Sequence, residues 1–187
     1  MKRVIVVHCW DGYPEYCWYP WLVRELASCG IETVVPSMPE TAFPKQSSWV
    51  PLLAEIIGKP DLETILVGHS IGCATIMRYL ETLGEGEQIG GAVFVAGFTT
   101  DLGFKEIHNF FETPLDFHEI QSHLPQLLVI HSDDDPYVDL SYADVFVSEF
   151  EAQKIVLQGK KHFSGPVDKE ESCTTLPEAL EGVMNML

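Results

Sequence analysis

Residues 64–72 read Thr-Ile-Leu-Val-Gly-His-Ser-Ile-Gly, an apolar run that leads directly into the pattern Gly-x-Ser-x-Gly centred on Ser70. The run at 64–67 is short and rich in β-branched residues, which is typical of a buried strand. Residues 71–83 follow with apolar side chains at helical spacing. The stretch therefore predicts a strand, a tight turn that carries Ser70, and a helix.

A strand, this five-residue pattern and a helix, in that order, form the nucleophile elbow of an α/β-hydrolase. The strained turn lifts the serine hydroxyl above the sheet, and side chains at positions 68 and 72 would collide with the neighbouring strand and with the helix. The pattern alone is weak evidence, because a glycine-bounded turn whose serine merely caps the helix has the same sequence pattern. The flanking strand and helix favour the elbow.

A serine nucleophile needs a base, and the base needs a carboxylate that orients it. In this fold the acid and then the histidine follow the serine, each on a loop after a later strand. The apolar run 127–130 leads into three adjacent aspartates at 133–135. These could form a solvated turn or cap the next helix. Pro136 restricts Asp135 to an extended conformation, which gives that carboxylate a defined direction.

His162 follows the last predicted strand, at 154–157, and is the only histidine beyond it. A single histidine is more often structural than catalytic, but this one occupies the position that the general base requires. The others have simpler explanations: His8 and His131 end strands, His69 is the variable residue of the elbow, and three more lie in a polar middle segment. We therefore predict His162 as the base.

Acyl transfer also needs two donors for the oxyanion that forms during the reaction. One is expected to be the backbone N–H of Ile71, which follows the serine at the helix N-terminus. The other should come from the loop after the first strand. There the backbone N–H of Trp10 is favoured and that of Cys9 is the alternative, and the sequence does not decide between them.

Two aromatic groups stand near the predicted site. In the first, beside the oxyanion loop, Tyr13 is predicted to line the substrate pocket together with Cys9 and His69. The second lies in 98–125, a segment that breaks the regular alternation of elements and carries five phenylalanines. Covers over the active site commonly occupy this place in the fold, and ordinary helix packing explains the aromatic residues equally well. Both interpretations stay open.

The rest of the chain alternates short apolar runs with amphipathic segments. Strands are predicted near 3–8, 32–35, 64–68, 92–96, 127–131 and 154–157, and helices near 18–29, 48–57, 71–83, 139–150 and 175–186. Continuous apolar strands indicate a sheet that is covered on both faces, and the alternation indicates parallel strands with right-handed crossovers. We predict one α/β domain over 1–187: a three-layer αβα sandwich with a mostly parallel six-stranded sheet, the minimal α/β-hydrolase fold.

Several motifs occur together in one order along almost the whole chain. They are Trp18-Tyr19-Pro20-Trp21-Leu22, Ser37-Met38-Pro39, Ser48-Trp49, Gly68-His69-Ser70-Ile71-Gly72, Asp134-Asp135-Pro136 and Gly-x-x-His162-Phe163. The combination resembles the small serine hydrolases of the retinoblastoma-binding protein 9 and YdeN family. The resemblance implies a catalytic triad of Ser70, Asp135 and His162, and it favours Asp135 over the two aspartates before it.

Charge and composition limit the partners and the cellular location that we expect. The formal net charge is −17 and the sequence pI about 4.6, a balance that disfavours nucleic acid and anionic membranes as partners. No signal peptide is expected before the first strand, and no apolar run reaches the roughly 20 residues of a membrane span. Five scattered cysteines without a Cys-x-x-Cys pair are typical of thiols in a reducing cytoplasm. We expect a cytoplasmic monomer that acts on a small acyl substrate without a metal or cofactor.

Two functions from different classes fit these observations. The first is a serine hydrolase that cleaves a small carboxylic ester, thioester or amide through an acyl-enzyme on Ser70. The alternative is a non-catalytic module that keeps the fold and binds a protein or a small ligand, since a fold does not establish a function. The ordered nucleophile, acid and base favour the hydrolase, and a fluorophosphonate probe distinguishes the two because only a hydrolase is labelled at Ser70.

Overall fold

A computed structural model describes residues 2–165 and 173–187. Its centre is a sheet of six parallel strands in the order β2-β1-β3-β4-β5-β6. The strands are β1 Arg3–Val7, β2 Glu32–Val34, β3 Thr64–His69, β4 Gly91–Val95, β5 Leu127–Ser132 and β6 Gln153–Leu157. The helices are α1 Tyr19–Ser28, α2 Gln46–Ile57, α3 Ile71–Leu80, α4 Phe117–His123, α5 Ser141–Phe150 and α6 Pro177–Met186, with a 3₁₀ turn at His108–Phe110. The predicted α/β class and six-stranded sheet are confirmed.

The two faces of the sheet are covered by different helices. Alternate side chains of a strand point to opposite faces, and in β1 Ile5 and Val7 pack with residues of α2, α3 and α5, whereas Val4 and Val6 pack with residues of α1 and α6. This arrangement makes the three αβα layers. Among the described residues, every helix is too short or too polar to cross a bilayer.

Two elements inside 98–125 were missed from the sequence, namely α4 and the 3₁₀ turn. The helix α4 is only seven residues long, and only Ile120 and His123 in it are buried, so it has almost no apolar periodicity. A local signal was present nevertheless. The side chain of Asp116 accepts a hydrogen bond from the backbone N–H of Glu119, and Asp followed three residues later by Glu is a helix-start pattern.

Parallel strands place all their carboxyl ends along one edge of the sheet, where α/β proteins bind their ligands. The loops after β1, β3, β5 and β6 therefore meet at this edge. They carry Cys9 and Trp10, Ser70, the three aspartates 133–135, and His162, respectively. The fold thus brings together residues that lie far apart in the sequence.

Candidate active site

Ser70 lies at the turn between β3 and α3 in a backbone conformation that non-glycine residues rarely adopt. Its φ is 57° and its ψ is −121°, and such strain costs on the order of 1–3 kcal/mol. The surrounding structure holds it there, since the backbone N–H of Ser70 donates to the carbonyl oxygen of Val95 at 2.9 Å. The residue is almost buried, with 6% of its surface exposed.

The glycines on either side allow this turn, as the sequence predicted. A Cβ at Gly72 would lie 2.1 Å from the carbonyl oxygen of Val7, so α3 can approach β1 only because this side chain is absent. A Cβ at Gly68 would lie 2.8 Å from the backbone of Cys73, inside α3. Both positions need glycine for close packing.

His162 stands between Ser70 and Asp135. Its Nε2 lies 2.9 Å from Ser70 Oγ, and its Nδ1 lies 2.8 Å from Asp135 Oδ2. Because a carboxylate only accepts hydrogen bonds, Nδ1 carries the proton, and in the neutral ring Nε2 is then the acceptor of the Ser70 hydroxyl proton. Three residues predicted from three separate loops therefore lie within hydrogen-bond distance of one another.

The carboxylate of Asp135 is held firmly. Only 1% of its side chain is exposed, and its second oxygen, Oδ1, accepts hydrogen bonds from the backbone N–H groups of Tyr137 and Val138 at 2.9 and 3.1 Å. These bonds leave Oδ2 directed at His162. The defined direction that was expected from Pro136 is thus completed by the loop's own backbone.

The two neighbouring aspartates brace the loop that carries His162. Asp133 Oδ1 accepts from the backbone N–H of Gly159, and Asp134 Oδ1 accepts from that of Lys161. The Lys161 ammonium also lies 2.7 Å from Asp134 and, with further hydrogen bonds, lowers the pKa of that carboxyl to about 2. The sequence predicted both only as loop or cap residues, because a bond between two loops leaves no local pattern.

The structure distinguishes the two candidates for the second oxyanion donor. The backbone N–H of Cys9 donates to Tyr19 Oη at 3.1 Å and is already engaged. The backbone N–H of Trp10 has no acceptor among residues 2–165 and 173–187. The N–H of Ile71 is at the first position of α3, where no intrahelical acceptor exists. Of the three candidate amides, those of Trp10 and Ile71 are therefore the ones left without an acceptor in the described part of the chain.

A pocket of about 220 Å³ opens beside Ser70 and His162. Cys9 lines it as predicted, whereas Tyr13 and His69 do not. Tyr13 is 47% exposed outside it. His69 is fully buried behind the elbow, where its ring packs against those of Trp18, Tyr19 and His162, because the variable residue of the elbow still belongs to β3 and points into the protein.

The segment 98–125 divides between its two interpretations. Its first part lines the pocket through Phe98, Leu102, Phe104 and Ile107. Its second part, which includes Phe110 and the ring of Phe117, packs into the core. The buried Arg78 of α3 fixes the boundary, since its guanidinium donates to the carbonyl oxygens of Phe110 and Thr113. One end of the segment thus shapes the pocket and the other end anchors it.

Cys73 is not a second nucleophile. It lies one turn into α3 and is fully buried, and its Sγ lies 3.6 Å from the carbonyl oxygen of Val95. Burial raises the pKa of this thiol far above its ordinary value. Since the thiolate is the reactive form of cysteine, this buried side chain serves packing.

The family model described as serine hydrolase matches residues 4–180. The chain belongs to the serine hydrolase family. This membership identifies it as a hydrolase, and it confirms the resemblance found from the motifs. The family's fold explains why the loops after four different strands converge on Ser70.

Individual relatives agree with the family. The chain is 29% identical over 177 residues to YdeN of Bacillus subtilis, covering 94% of this chain and 91% of YdeN. It is 26% identical over 149 residues to the rat (Rattus norvegicus) serine hydrolase RBBP9, covering 78% and 77% of the two chains. The crystal structure of the B. subtilis ydeN product superposes with a TM-score of 0.92 at 26% identity, covering 100% of this chain and 98% of that one.

A more distant solved structure shows the fold alone. Est1E from Butyrivibrio proteoclasticus has a TM-score of 0.74 at 14% identity, covering 99% of this chain and 88% of that one. The sheet and its helices are therefore shared with a protein whose sequence has little in common with this one.

Proposed function

We propose that this serine hydrolase cleaves a small carboxylic ester, thioester or amide with Ser70, Asp135 and His162 as its catalytic triad. The observation that carries the proposal is the unbroken series of hydrogen bonds from Asp135 Oδ2 through His162 to Ser70 Oγ, at 2.8 and 2.9 Å. A base within this distance of a serine hydroxyl, itself oriented by a carboxylate, is the geometry that activates the nucleophile.

In the first half of the reaction Ser70 Oγ attacks the acyl carbon while His162 Nε2 takes the hydroxyl proton. Asp135 stabilises the imidazolium that forms, and the N–H groups of Ile71 and Trp10 bind the oxygen that becomes negative. His162 then gives its proton to the leaving group, whose bond to carbon breaks. In the second half a water molecule attacks the acyl carbon while His162 Nε2 takes its proton. The bond from the acyl carbon to Ser70 Oγ then breaks, His162 returns the proton to Ser70 Oγ, and the acid is released.

The pocket favours a small, uncharged acyl group. Its volume of about 220 Å³ is below the roughly 300–1,000 Å³ of sites for drug-sized ligands. Phe98, Leu102, Phe104 and Ile107 make one wall apolar, and the described lining residues include the carboxylate of Asp11 but no lysine or arginine. An anionic acyl group would find no partner there. The proposed chemistry uses side chains and backbone amides and needs no metal or cofactor.

We propose the cytoplasm as the setting. All five cysteines are free thiols, which suits a reducing compartment. The formal net charge of −17 disfavours nucleic acid and anionic lipid as partners. A small-molecule substrate is the partner that remains.

The proposal is tested with a fluorophosphonate probe followed by peptide mapping. The native protein should be labelled on Ser70 alone, because within residues 2–165 and 173–187 no other serine hydroxyl is bonded to a histidine ring nitrogen. The heat-denatured protein, which keeps the serine but loses His162 beside it, should stay unlabelled. A native protein that resists the probe, or one labelled elsewhere, would contradict the assignment.

The acyl group is tested with p-nitrophenyl esters of increasing chain length. We expect kcat/KM to rise by about three- to fourfold per methylene, the equivalent of about 0.8 kcal/mol per buried CH₂, and to fall once the chain outgrows the pocket. Phe104→Ala should move the optimum to longer chains. Phe43→Ala is the matched control, because this exposed ring lies outside the pocket. The same optimum in all three proteins would overturn the assigned acyl wall.

A further inference from the structure

Behind the nucleophile elbow, two buried side chains connect the oxyanion loop to the loop of the base. Tyr19 and His69 are both fully buried and do not line the pocket. We propose that Tyr19 and His69 are positioning residues which orient the Trp10 N–H for the oxyanion. The proposal rests on the proposed function, since it concerns the oxyanion hole of that same reaction.

The direction of each hydrogen bond follows from His69. Its Nε2 lies 2.8 Å from the carbonyl oxygen of His162, and a carbonyl can only accept, so Nε2 carries a proton. Burial, with a smaller contribution from the charge of His162, lowers the pKa of His69 to about 3, so the ring is neutral at working pH. A neutral ring has one N–H, and Nδ1 must therefore be an acceptor.

This acceptor determines the orientation of the tyrosine hydroxyl. Tyr19 Oη lies 2.7 Å from His69 Nδ1, so the Tyr19 O–H donates to the ring. Its oxygen lone pairs are left for the backbone N–H of Cys9, which lies 3.1 Å away. The carbonyl oxygen of His162 thus determines the tautomer of His69, and this tautomer determines the direction of the Tyr19 O–H bond. The Tyr19 oxygen then holds the peptide group that precedes Cys9.

The next peptide group carries the oxyanion donor. The carbonyl oxygen of Cys9 accepts hydrogen bonds from His8 Nδ1 at 2.8 Å and from the Gly12 N–H at 3.0 Å. His8 can donate there because its Nε2 accepts from the Met38 N–H. A trans peptide is planar, with its C=O and N–H on opposite sides. The Trp10 N–H must therefore point away from these partners.

Cys9 is thus held on both sides, by Tyr19 at its N–H and by His8 and Gly12 at its carbonyl oxygen. If the Tyr19 hydroxyl is removed, the Cys9 N–H loses this acceptor, and the peptide group before Cys9 is no longer held on that side. A donor that is misdirected acts on the transition state more than on the bound substrate, because the negative charge develops only there. The expected signature is a loss in kcat with little change in KM.

The test compares Tyr19→Phe with Tyr79→Phe. Tyr79 is the matched control because it is also buried and its hydroxyl has no partner among the described residues. Complete removal of an oxyanion donor costs about 10²–10³ in kcat. For a misdirected donor we expect Tyr19→Phe to lower kcat by about 10–100-fold and Tyr79→Phe to change it little. Here kcat is calculated per active site, and the active sites are counted by titration with a fluorophosphonate. An alkyl boronic acid, whose adduct with Ser70 places an oxygen at the oxyanion position, should bind Tyr19→Phe more weakly by a similar factor.

Two variants of His69 keep the test valid if Tyr19→Phe folds poorly. Asparagine at position 69 places its Oδ1 near the position of the His69 Nδ1 and can still accept the hydrogen bond from the Tyr19 hydroxyl. Leucine at this position cannot accept it. His69→Asn should therefore retain clearly tighter boronic acid binding than His69→Leu. Equal losses in these two variants would contradict the role assigned to Nδ1.

The remaining outcomes separate the two proposals. A wild-type protein that neither turns over esters nor is labelled at Ser70 would overturn the proposed function. An active wild type, with Tyr19→Phe matching Tyr79→Phe in kcat and in boronic acid affinity, would overturn only the positioning role. A loss of thermal stability in Tyr19→Phe with kcat unchanged would assign these residues to folding alone.

Discussion

Strained backbone at single residues surrounds Ser70. Positive φ values occur at Asp11 in the oxyanion loop, at Ala96 after β4, and at Lys161 and Phe163 on either side of His162. A residue with a side chain costs free energy in this conformation. Such residues are found mainly at functional sites, where contacts with the surrounding structure hold the backbone in place. Part of the strain in the described chain therefore falls on the loops that carry the proposed nucleophile, base and oxyanion donor.

The three adjacent aspartates should differ sharply when each is replaced by asparagine. Asp135→Asn should lower kcat by on the order of 10⁴, because an amide in this position favours the wrong tautomer of His162. Asp133→Asn and Asp134→Asn should cost far less activity, because their bonds hold the backbone of the His162 loop and do not reach its ring. Steady-state kinetics on an activated ester measures all three. A larger loss in Asp134→Asn than in Asp135→Asn would place the acid one residue earlier.

At the residue scale, the sequence indicated the candidate groups that lie in motifs and missed the contacts between residues that are far apart in the chain. Ser70 is marked by its glycines, His162 by its place after the last strand, and Asp135 by the proline that follows it. The hydrogen bond from Tyr19 to His69 joins residues 50 positions apart, and no local sequence pattern predicts it. For the same reason the choice between Cys9 and Trp10 required the position of the Tyr19 hydroxyl.

At the scale of elements, the close approach of α3 to β1 should depend on Gly72. Gly72→Ala should be strongly destabilising, because its Cβ would overlap the backbone oxygen of Val7, and a main-chain atom cannot swing aside. Gly84→Ala is the control, since a Cβ there meets only the Glu87 side chain at 3.4 Å. Thermal unfolding would compare the variants. Equal midpoints would contradict the tight crossing of α3 over β1.

Most of the elements were predictable, and two short ones were not. The strands at the centre of the sheet are short continuous apolar runs, and the helices around them repeat their apolar residues every three or four positions, which is a clear period. The helix α4 and the 3₁₀ turn near Phe110 have no such period. Their positions depend on tertiary contacts, chiefly those from Arg78 to Phe110 and Thr113.

For the whole molecule, buried histidines should make stability depend on pH. Burial lowers the pKa values of His8, His69 and His131, whereas an unfolded imidazole titrates near pH ~6.5. Below that pH the unfolded chain binds protons that the folded chain refuses, so the free energy of unfolding should fall as pH falls. For His69, with its pKa of about 3, the loss between pH 6.5 and 5 is up to about 2 kcal/mol.

Urea unfolding at pH 7.5, 6 and 5 measures this dependence. His131→Gln should give a shallower slope, because it removes one of the three groups while its neighbours stay in place. The free energy of unfolding should begin to decline at a higher pH than the range in which carboxylates take up protons. Asp134 contributes to the decline only below this point, because its pKa is lowered to about 2 and it stabilises the fold until the pH falls below ~4. A constant free energy of unfolding from pH 7.5 to 5 would contradict the neutral state of these rings.

The account depends most on Ser70 as the nucleophile. Turnover of an activated ester by Ser70→Ala tests this directly, with Ser148→Ala as the control because Ser148 lies exposed on α5 and does not line the pocket. Loss of a triad nucleophile typically costs on the order of 10⁶ in rate. We expect Ser70→Ala to fold normally and to lose turnover by about this factor, while Ser148→Ala keeps wild-type turnover. Catalysis retained in a clean Ser70→Ala preparation would contradict the central claim.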